Sequence, residues 1–408
     1  MTARTILVLG GGISGIATAW KLVNQNGNRV ILLEREAAIG GLASTFSPVG
    51  PSQVPGLEDV RVDIGSHRIH TTYDPEAFPI IRKLLGDDLL KRPRRGLILI
   101  NGKFVKYPPS VIQICACFGL AQTAAFIVDY LFAQVKTLLL GCDRRDFASY
   151  VIRSVGNSLY DVFYRPYATK LWGLDPHRVS FEPAMNRVKK FEMRCFLMEV
   201  ANLFRRKKAD PIYFYPARGI GQIAERMREQ FLELGGEIRC SVDVDRIETS
   251  EERRVSAVNF HTGDGRRERV PVDVMVSTIP LETIHSLITL GAENRPAYDL
   301  HMKCARICYL LTKDVQPRES ETLYIPDTRY RVGRVSDVKK YSPAVGAGGA
   351  ATVLTAELIC QEGDDVWTMS DQALGELCAR ELCDMGVLKP GAVIEHAFSR
   401  RVRNLYPV

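Results

Sequence analysis

The 408 residues carry 54 basic against 47 acidic side chains, a net charge of +7, too mild and too scattered for a nucleic-acid surface. Apolar residues at 46% and charged residues at 25% are those of an ordinary globular chain long enough for two or three domains. Ten cysteines occur without a Cys-x-x-Cys pair or a matching histidine cluster, so no zinc site or disulfide framework is legible and a reducing, cytoplasmic compartment is favoured.

Taken in chain order, Thr5-Ile6-Leu7-Val8-Leu9 reads as a strand reached too soon for a signal peptide to precede it. It breaks into Gly10-Gly11-Gly12-Ile13-Ser14-Gly15 before a helical stretch over 16–24, and a second apolar run over 29–33 ends on Glu34. This is a βαβ unit with a dinucleotide fingerprint. Gly10 permits the tight turn, Gly12 lets the backbone approach a pyrophosphate, and Gly15 lets helix pack on strand. Glu34, nineteen residues beyond Gly15, is placed to accept from a ribose hydroxyl. Arg35 follows, and Gly40-Gly41-Leu42-Ala43-Ser44-Thr45 makes a second glycine turn.

A glycine turn so soon after the ribose-binding acid has no standard use in nicotinamide enzymes. Here the sequence resembles the FAD-dependent amine oxidase, protoporphyrinogen oxidase and UDP-galactopyranose mutase superfamily. The resemblance implies FAD as the cofactor and an α/β fold: a Rossmann-type FAD-binding domain of the two-dinucleotide-binding flavoproteins, a helical cap and an antiparallel-sheet substrate domain. It implies FAD contacts from Gly10, Gly12, Ile13, Ser14, Gly15, Glu34, Arg35, Gly41 and Leu42.

After a Pro/Gly/Ser-rich loop over 48–55, residues 60–64 alternate as a strand that delivers Gly65-Ser66-His67-Arg68 to a turn. The Asp-x-Gly-x-His arrangement is similar to the superfamily segment that runs past the flavin ring. Gly65, Ser66 and His67 are therefore expected at the cofactor, with His67 and Arg68 as catalytic candidates. Trailing His70-Thr71 is similar to the mutases.

Residues 75–90 read as helix, and 97–108 as a hairpin turning at Asn101-Gly102. The stretch 107–128 has no formal charge, yet Pro108, Pro109, Gln113, Gln122 and Thr123 interrupt it. The expected form is a helix pair in a cap, with peripheral membrane contact as the alternative. Helix 147–159 leads into Phe163-Tyr164-Arg165-Pro166-Tyr167-Ala168-Thr169-Lys170-Leu171-Trp172-Gly173. This segment resembles the superfamily's cap and substrate region, which makes Tyr167, Lys170, Trp172 and Arg187 substrate candidates. Basic clusters at 92–95 and 205–208 read as solvated loops, the second able to attract an anion.

Tyr213-Phe214-Tyr215-Pro216-Ala217-Arg218-Gly219-Ile220-Gly221 introduces an amphipathic helix over 223–234 with a Gly235-Gly236 stop. Strands follow at 237–240 and 242–247, a hairpin at 255–270, and Val272 to Pro280 as a return to the central sheet. That order resembles the superfamily's second FAD segment, which implies Val244 against the adenine, Thr278 near the cofactor and Tyr215 toward substrate. Strands at 305–311, 323–325, 330–335 and 352–358 suggest the substrate sheet, carrying Arg306 and Arg334 as cationic candidates. A loop spans 346–350, and residues 370–385 form a helix capped by Ser370.

The expected division is 1–74 and 210–290 for the FAD domain, 75–209 for hairpin and cap, and 291–408 for the substrate sheet. Family members continue past a segment like Asn404-Leu405-Tyr406-Pro407-Val408 into a Gly-Arg flavin turn, which is not in these 408 residues. The first expectation is an oxidoreductase moving a hydride from a C–N or C–C bond of a small molecule to flavin. The alternative is a mutase-like isomerase using reduced FAD on a nucleotide-sugar, and the third an inactive flavin-fold protein.

Overall fold

The structure, a computed structural model, describes residues 4–25, 27–48, 60–71, 75–107, 109–182, 211–252, 254–288, 302–346 and 351–407. The chain divides into two compact units, residues 1–92, 213–301 and 341–348 in the first and 93–212, 302–340 and 349–408 in the second.

The first unit is built on a four-stranded sheet in the order Val274–Ser277, Thr5–Leu9, Arg29–Leu33, Glu237–Arg239. Every pairing in it is parallel. Successive side chains of a strand point to opposite faces, and here both faces are covered. Ile6, Val8, Val30 and Leu32 pack with Ile16 and Ala19 of helix Ile13–Val23 and with Ala224 and Phe231 of helix Gln222–Glu233. Leu7, Leu9, Ile31 and Leu33 pack on Val258 and Phe260 of an antiparallel ribbon, Asp243–Thr249, Val255–His261 and Arg267–Pro271. Double coverage explains why the two runs are apolar at consecutive positions rather than alternating. Each such side chain contributes roughly 1.5–3 kcal/mol by burial.

The strand expected over 60–64 shortens to Val62–Asp63, paired with Thr45–Phe46. Gly65 turns away at φ +79°, and the Asp63 carboxylate is engaged by groups from two other segments, so the ladder stops there.

The second unit holds a seven-stranded sheet in the order His396–Pro407, Met302–Thr312, Thr352–Cys360, Arg334–Asp337, Thr322–Tyr324, Leu97–Ile100, Lys103–Lys106. It is antiparallel except where Thr322–Tyr324 meets Leu97–Ile100. The Asn101-Gly102 turn has φ +48° and +71°, the two positive values a type I′ hairpin needs. Helix Asp371–Asp384 covers the sheet through Leu374, Cys378 and Leu382. Ser370 caps it on the Ala373 N–H. The strand expected from Tyr330 begins only at Arg334, because the Arg331 and Val332 N–H groups donate to the Glu381 carboxylate at 2.8 and 2.9 Å. Strand His396–Pro407 was not legible: Arg400, Arg401 and Arg403 blur its alternation.

The uncharged stretch forms two helices, Val111–Phe118 and Leu120–Leu140, separated by Gly119. Ser110 and Gln113 form a reciprocal capping box at the start. Helix Phe147–Val155 stops at Gly156, earlier than expected, and Arg165–Trp172 follows.

Candidate functional site

The glycine turn sits where the parallel sheet meets its first helix. Gly10 has φ +95°, and a Cβ there would lie 2.7 Å from Thr278 Oγ1. That hydroxyl donates to the Leu9 carbonyl at 2.9 Å, tying the end of Val274–Ser277 to the end of Thr5–Leu9. A Cβ on Gly15 would stand 1.8 Å from the Gly10 carbonyl oxygen, so helix and turn touch backbone to backbone. Thr278 thus acts as a clamp beneath the turn.

Above it the second glycine turn closes on the first. Gly40 N–H donates to the Gly11 carbonyl at 2.8 Å, and a Cβ on Gly41 would come within 3.0 Å of Gly12 Cα. Gly40 and Gly41 take φ +116° and +56°. Helix Ile13–Val23 begins at Gly12 with no side-chain cap, which leaves N–H groups of its first turn, that of Ser14 included, for an outside anion. Glu34 accepts from the Gly11 N–H at 2.6 Å and from the Glu36 N–H at 2.8 Å. Its carboxylate is thereby fixed at the lip of the turn. Arg35, Leu42 and Ser14 are exposed around this lip. Val244 lies half-buried in the antiparallel ribbon opposite Phe260. A cradle of two apposed glycine turns, an uncapped helix start and an anchored carboxylate fits a dinucleotide.

The Gly65 to Arg68 turn is held by a buried cluster. Asp63 accepts from Tyr215 Oη at 2.5 Å, Thr45 Oγ1 at 2.6 Å and the Ile220 N–H at 3.1 Å. Thr45 Oγ1 in turn accepts from the Gly221 N–H at 2.8 Å. Burial pushes the Asp63 carboxyl up against the lowering effect of these donors. Burial and the neighbouring Asp63 charge push the Tyr215 phenol well above its ordinary value. His67 Nε2–H donates to the Ile64 carbonyl at 2.9 Å. The Arg68 guanidinium lies 5.6 Å from the Tyr213 ring centre and 5.7 Å from that of Tyr341. Tyr215 is therefore a tether within the first unit. Thr45, Asp63, Tyr213 and Tyr341 were not singled out in the sequence; Asp63 alone carried a signal, an acid just ahead of a glycine turn.

The substrate candidates of the second unit are committed internally. Lys170 Nζ donates to the carbonyls of Ile325, Asp327 and Val332 at 2.9, 3.0 and 2.7 Å. Those bonds use all three of its protons. Arg306 is wholly buried and donates to the Trp367 and Met369 carbonyls, Asp371 and Ser399. Arg334 pairs across the sheet with Glu357 at 2.6 Å. Trp172 is buried with its ring edge-on to Phe147 at 4.9 Å, and Tyr167 packs against the same cluster. Arg187 and the cluster at 205–208 lie outside the described residues.

Burial depresses Lys170 to about 8. Lys170→Met strips the Ile325 and Val332 carbonyls of this donor, leaves Asp327 with only the 3.4 Å bond from the Tyr330 N–H, and costs about 2–4 kcal/mol in urea unfolding at neutral pH. The gap to wild type widens as pH rises from about 8 toward the ordinary lysine value. Over that window the unfolded chain still binds a proton that the folded chain has released, so wild-type stability rises with pH.

Fold and site together define a Rossmann-type dinucleotide-binding protein. Residues 13–405 match the family model for flavin containing amine oxidoreductase, and the chain belongs to that family. Its cofactor is FAD. A probable UDP-galactopyranose mutase from Klebsiella pneumoniae is 24% identical over 177 residues, covering 43% of each chain. A 15-cis-phytoene desaturase from an Oncidium hybrid cultivar is 22% identical over 304 residues, 68% of this chain and 48% of the relative. The chain spans less than half the length of these curated relatives. The crystal structure of reduced UDP-galactopyranose mutase superposes with a TM-score of 0.81 at 18% identity, covering 100% of this chain and 84% of that one.

Proposed function

We propose that the protein is a FAD-dependent oxidoreductase of the protoporphyrinogen oxidase and amine oxidase type, taking a hydride from a C–N or C–C bond of a small substrate without a diphosphate. Bound flavin supplies the hydride acceptor. The chain's own residues bind and orient it. The N–H groups at Gly12 to Gly15 and the backbone of Gly41 and Leu42 hold the pyrophosphate, and Glu34 holds the ribose. Val244 borders the adenine, and the Gly65 to His67 turn holds the ring. Arg68, fixed between two tyrosine rings, supplies a permanent positive charge.

One observation supports this reading over the mutase alternative. A nucleotide-sugar brings two phosphate charges, and among the described residues the cations singled out to meet them, Lys170, Arg306 and Arg334, are spent on carbonyls and carboxylates of their own unit, Arg187 lying outside those residues. The experiment is anaerobic mixing of FAD-loaded protein with an amine, a porphyrinogen or a polyene. Loss of flavin colour, restored by oxygen, is expected with one of these classes. Interconversion of a UDP-sugar by dithionite-reduced protein, without consumption of an acceptor, would overturn the reading in favour of the mutase.

A further inference from the structure

Helix Leu120–Leu140, 21 residues long, buries Thr123, Phe126, Tyr130 and Ala133 on its inner face and is apolar on its outer face as well. Most of its polar side chains are turned away from that outer face and are satisfied within the protein. Thr123 Oγ1 donates to the Gly119 carbonyl, Gln134 Nε2 to Ser154 O at 2.6 Å and Thr137 Oγ1 to Arg153 O at 2.7 Å. Asp129 accepts from the Ser158 N–H at 2.6 Å. The outward positions are apolar: Leu120, Val128, Leu131, Phe132, Val135, Leu138, Leu139 and Leu140 are exposed, with Phe132 at 70%, Leu139 at 75% and Leu138 at 85%. Only Gln122 and Lys136 break that outward face. A surface helix of a globular protein ordinarily turns a charged and polar face outward.

We infer that this face seats on a phospholipid bilayer carrying anionic headgroups, with the helix lying in the interfacial plane. Three features select lipid over water or a protein partner. First, hydrocarbon tolerates polar groups only when they are bonded internally, and the four polar groups facing the protein are. Second, the exposed apolar side chains form a nearly continuous strip along a helix of about 30 Å, the kind of contiguous apolar patch that marks an interaction site. Third, cations suited to headgroups stand at the ends: exposed Arg144 follows the helix, beside an Arg145 that is paired with Asp143, and exposed Lys103, with one bond to the Ala116 carbonyl, precedes the pair. The helix does not span. Its inner face rests on Phe147–Val155 through the bonds to Arg153 and Ser154, so only one side is available to lipid. Between it and Val111–Phe118 opens an apolar groove of about 580 Å³ lined by Ile112, Cys115, Ala116, Leu120, Ala124 and Ile127, a place for an acyl chain.

The test is flotation of the full chain with phosphatidylcholine vesicles, with and without phosphatidylglycerol, read alongside sedimentation equilibrium. Wild-type protein is expected to float with the anionic vesicles and to be released by high salt. Phe132→Glu and Leu138→Glu, both at exposed positions and hence neutral to folding by circular dichroism, should each weaken partitioning about tenfold. Leu374→Ala, a buried change in the same unit, should leave it unaltered. Equal flotation of wild type and both glutamate variants overturns the inference. So does failure of the wild type to float, or a dimer that the glutamate variants dissociate, which would make the face a contact between copies of this chain.

Discussion

Gly15→Ala yields protein that retains no FAD and is less stable by about 3 kcal/mol or more, the range of a forced overpacking in a rigid site. The added methyl would sit 1.8 Å from the Gly10 carbonyl oxygen and 2.9 Å from Thr278 Oγ1. Neither can yield cheaply. The carbonyl belongs to a turn whose Gly10 N–H is bonded to the Leu33 carbonyl at 2.9 Å, and the hydroxyl clamps two strand ends. The helix must therefore lift from the sheet, carrying its N-terminal donors out of the cradle. Gly12→Ala is the informative contrast: its Cβ would meet nothing nearer than Gly41 Cα at 4.0 Å. That variant is expected to fold with near wild-type stability and still lose FAD, because the methyl fills the space through which a pyrophosphate approaches the backbone. Urea unfolding and the flavin absorbance of the purified variants check both.

Arg306→Ala is the second large effect, and it is a loss of stability, about 2–4 kcal/mol from the void and the lost hydrogen bonds. The guanidinium is inaccessible to solvent and binds the Trp367 carbonyl at 2.8 Å, the Met369 carbonyl at 3.0 Å and Asp371 at 3.0 Å. Removing it takes the donor from the Met369 carbonyl and leaves a void within the sheet, while Arg401 Nε still donates to the Trp367 carbonyl at 3.0 Å and the Ser399 N–H to Asp371 at 3.1 Å. Arg306→Lys recovers only part, since an ammonium cannot reach four acceptors arranged for a planar fork. The melting temperature and urea midpoint follow these losses. FAD retention, a property of the first unit, is the readout expected to change least.

The sequence spoke clearly where function is written in backbone. The glycine turns, Glu34, and the order of strands and helix in the first unit were legible, because glycine spacing and double-sided apolar runs are local signals. It spoke poorly of charged side chains. Lys170, Arg306 and Arg334 read as substrate cations, yet each is satisfied by acceptors brought from elsewhere in the chain, such as Val332 for Lys170 and Trp367 for Arg306. Nothing near an arginine announces that a carbonyl some sixty residues on, |i−j| = 61, will claim it. The Asp63 cluster was hidden for the same reason: Tyr215 lies 152 residues from Asp63. Interruptions in the uncharged stretch argued for a helix pair in a cap rather than a membrane span. In the structure Thr123 turns inward while Gln122 stays exposed, and Asp129, Gln134 and Thr137 farther along the same helix bond inward, a rotation that periodicity alone does not show.

The central claim is that the two glycine turns and Glu34 bind FAD. It is tested most directly by calorimetric titration of purified protein with FAD, repeated with Gly12→Ala. Saturable binding of one FAD per chain, with a flavin spectrum perturbed from free FAD and affinity lost in the folded variant, is the predicted result. Well-folded wild-type protein that takes up no flavin, or binds it equally well with alanine at position 12, would contradict the account.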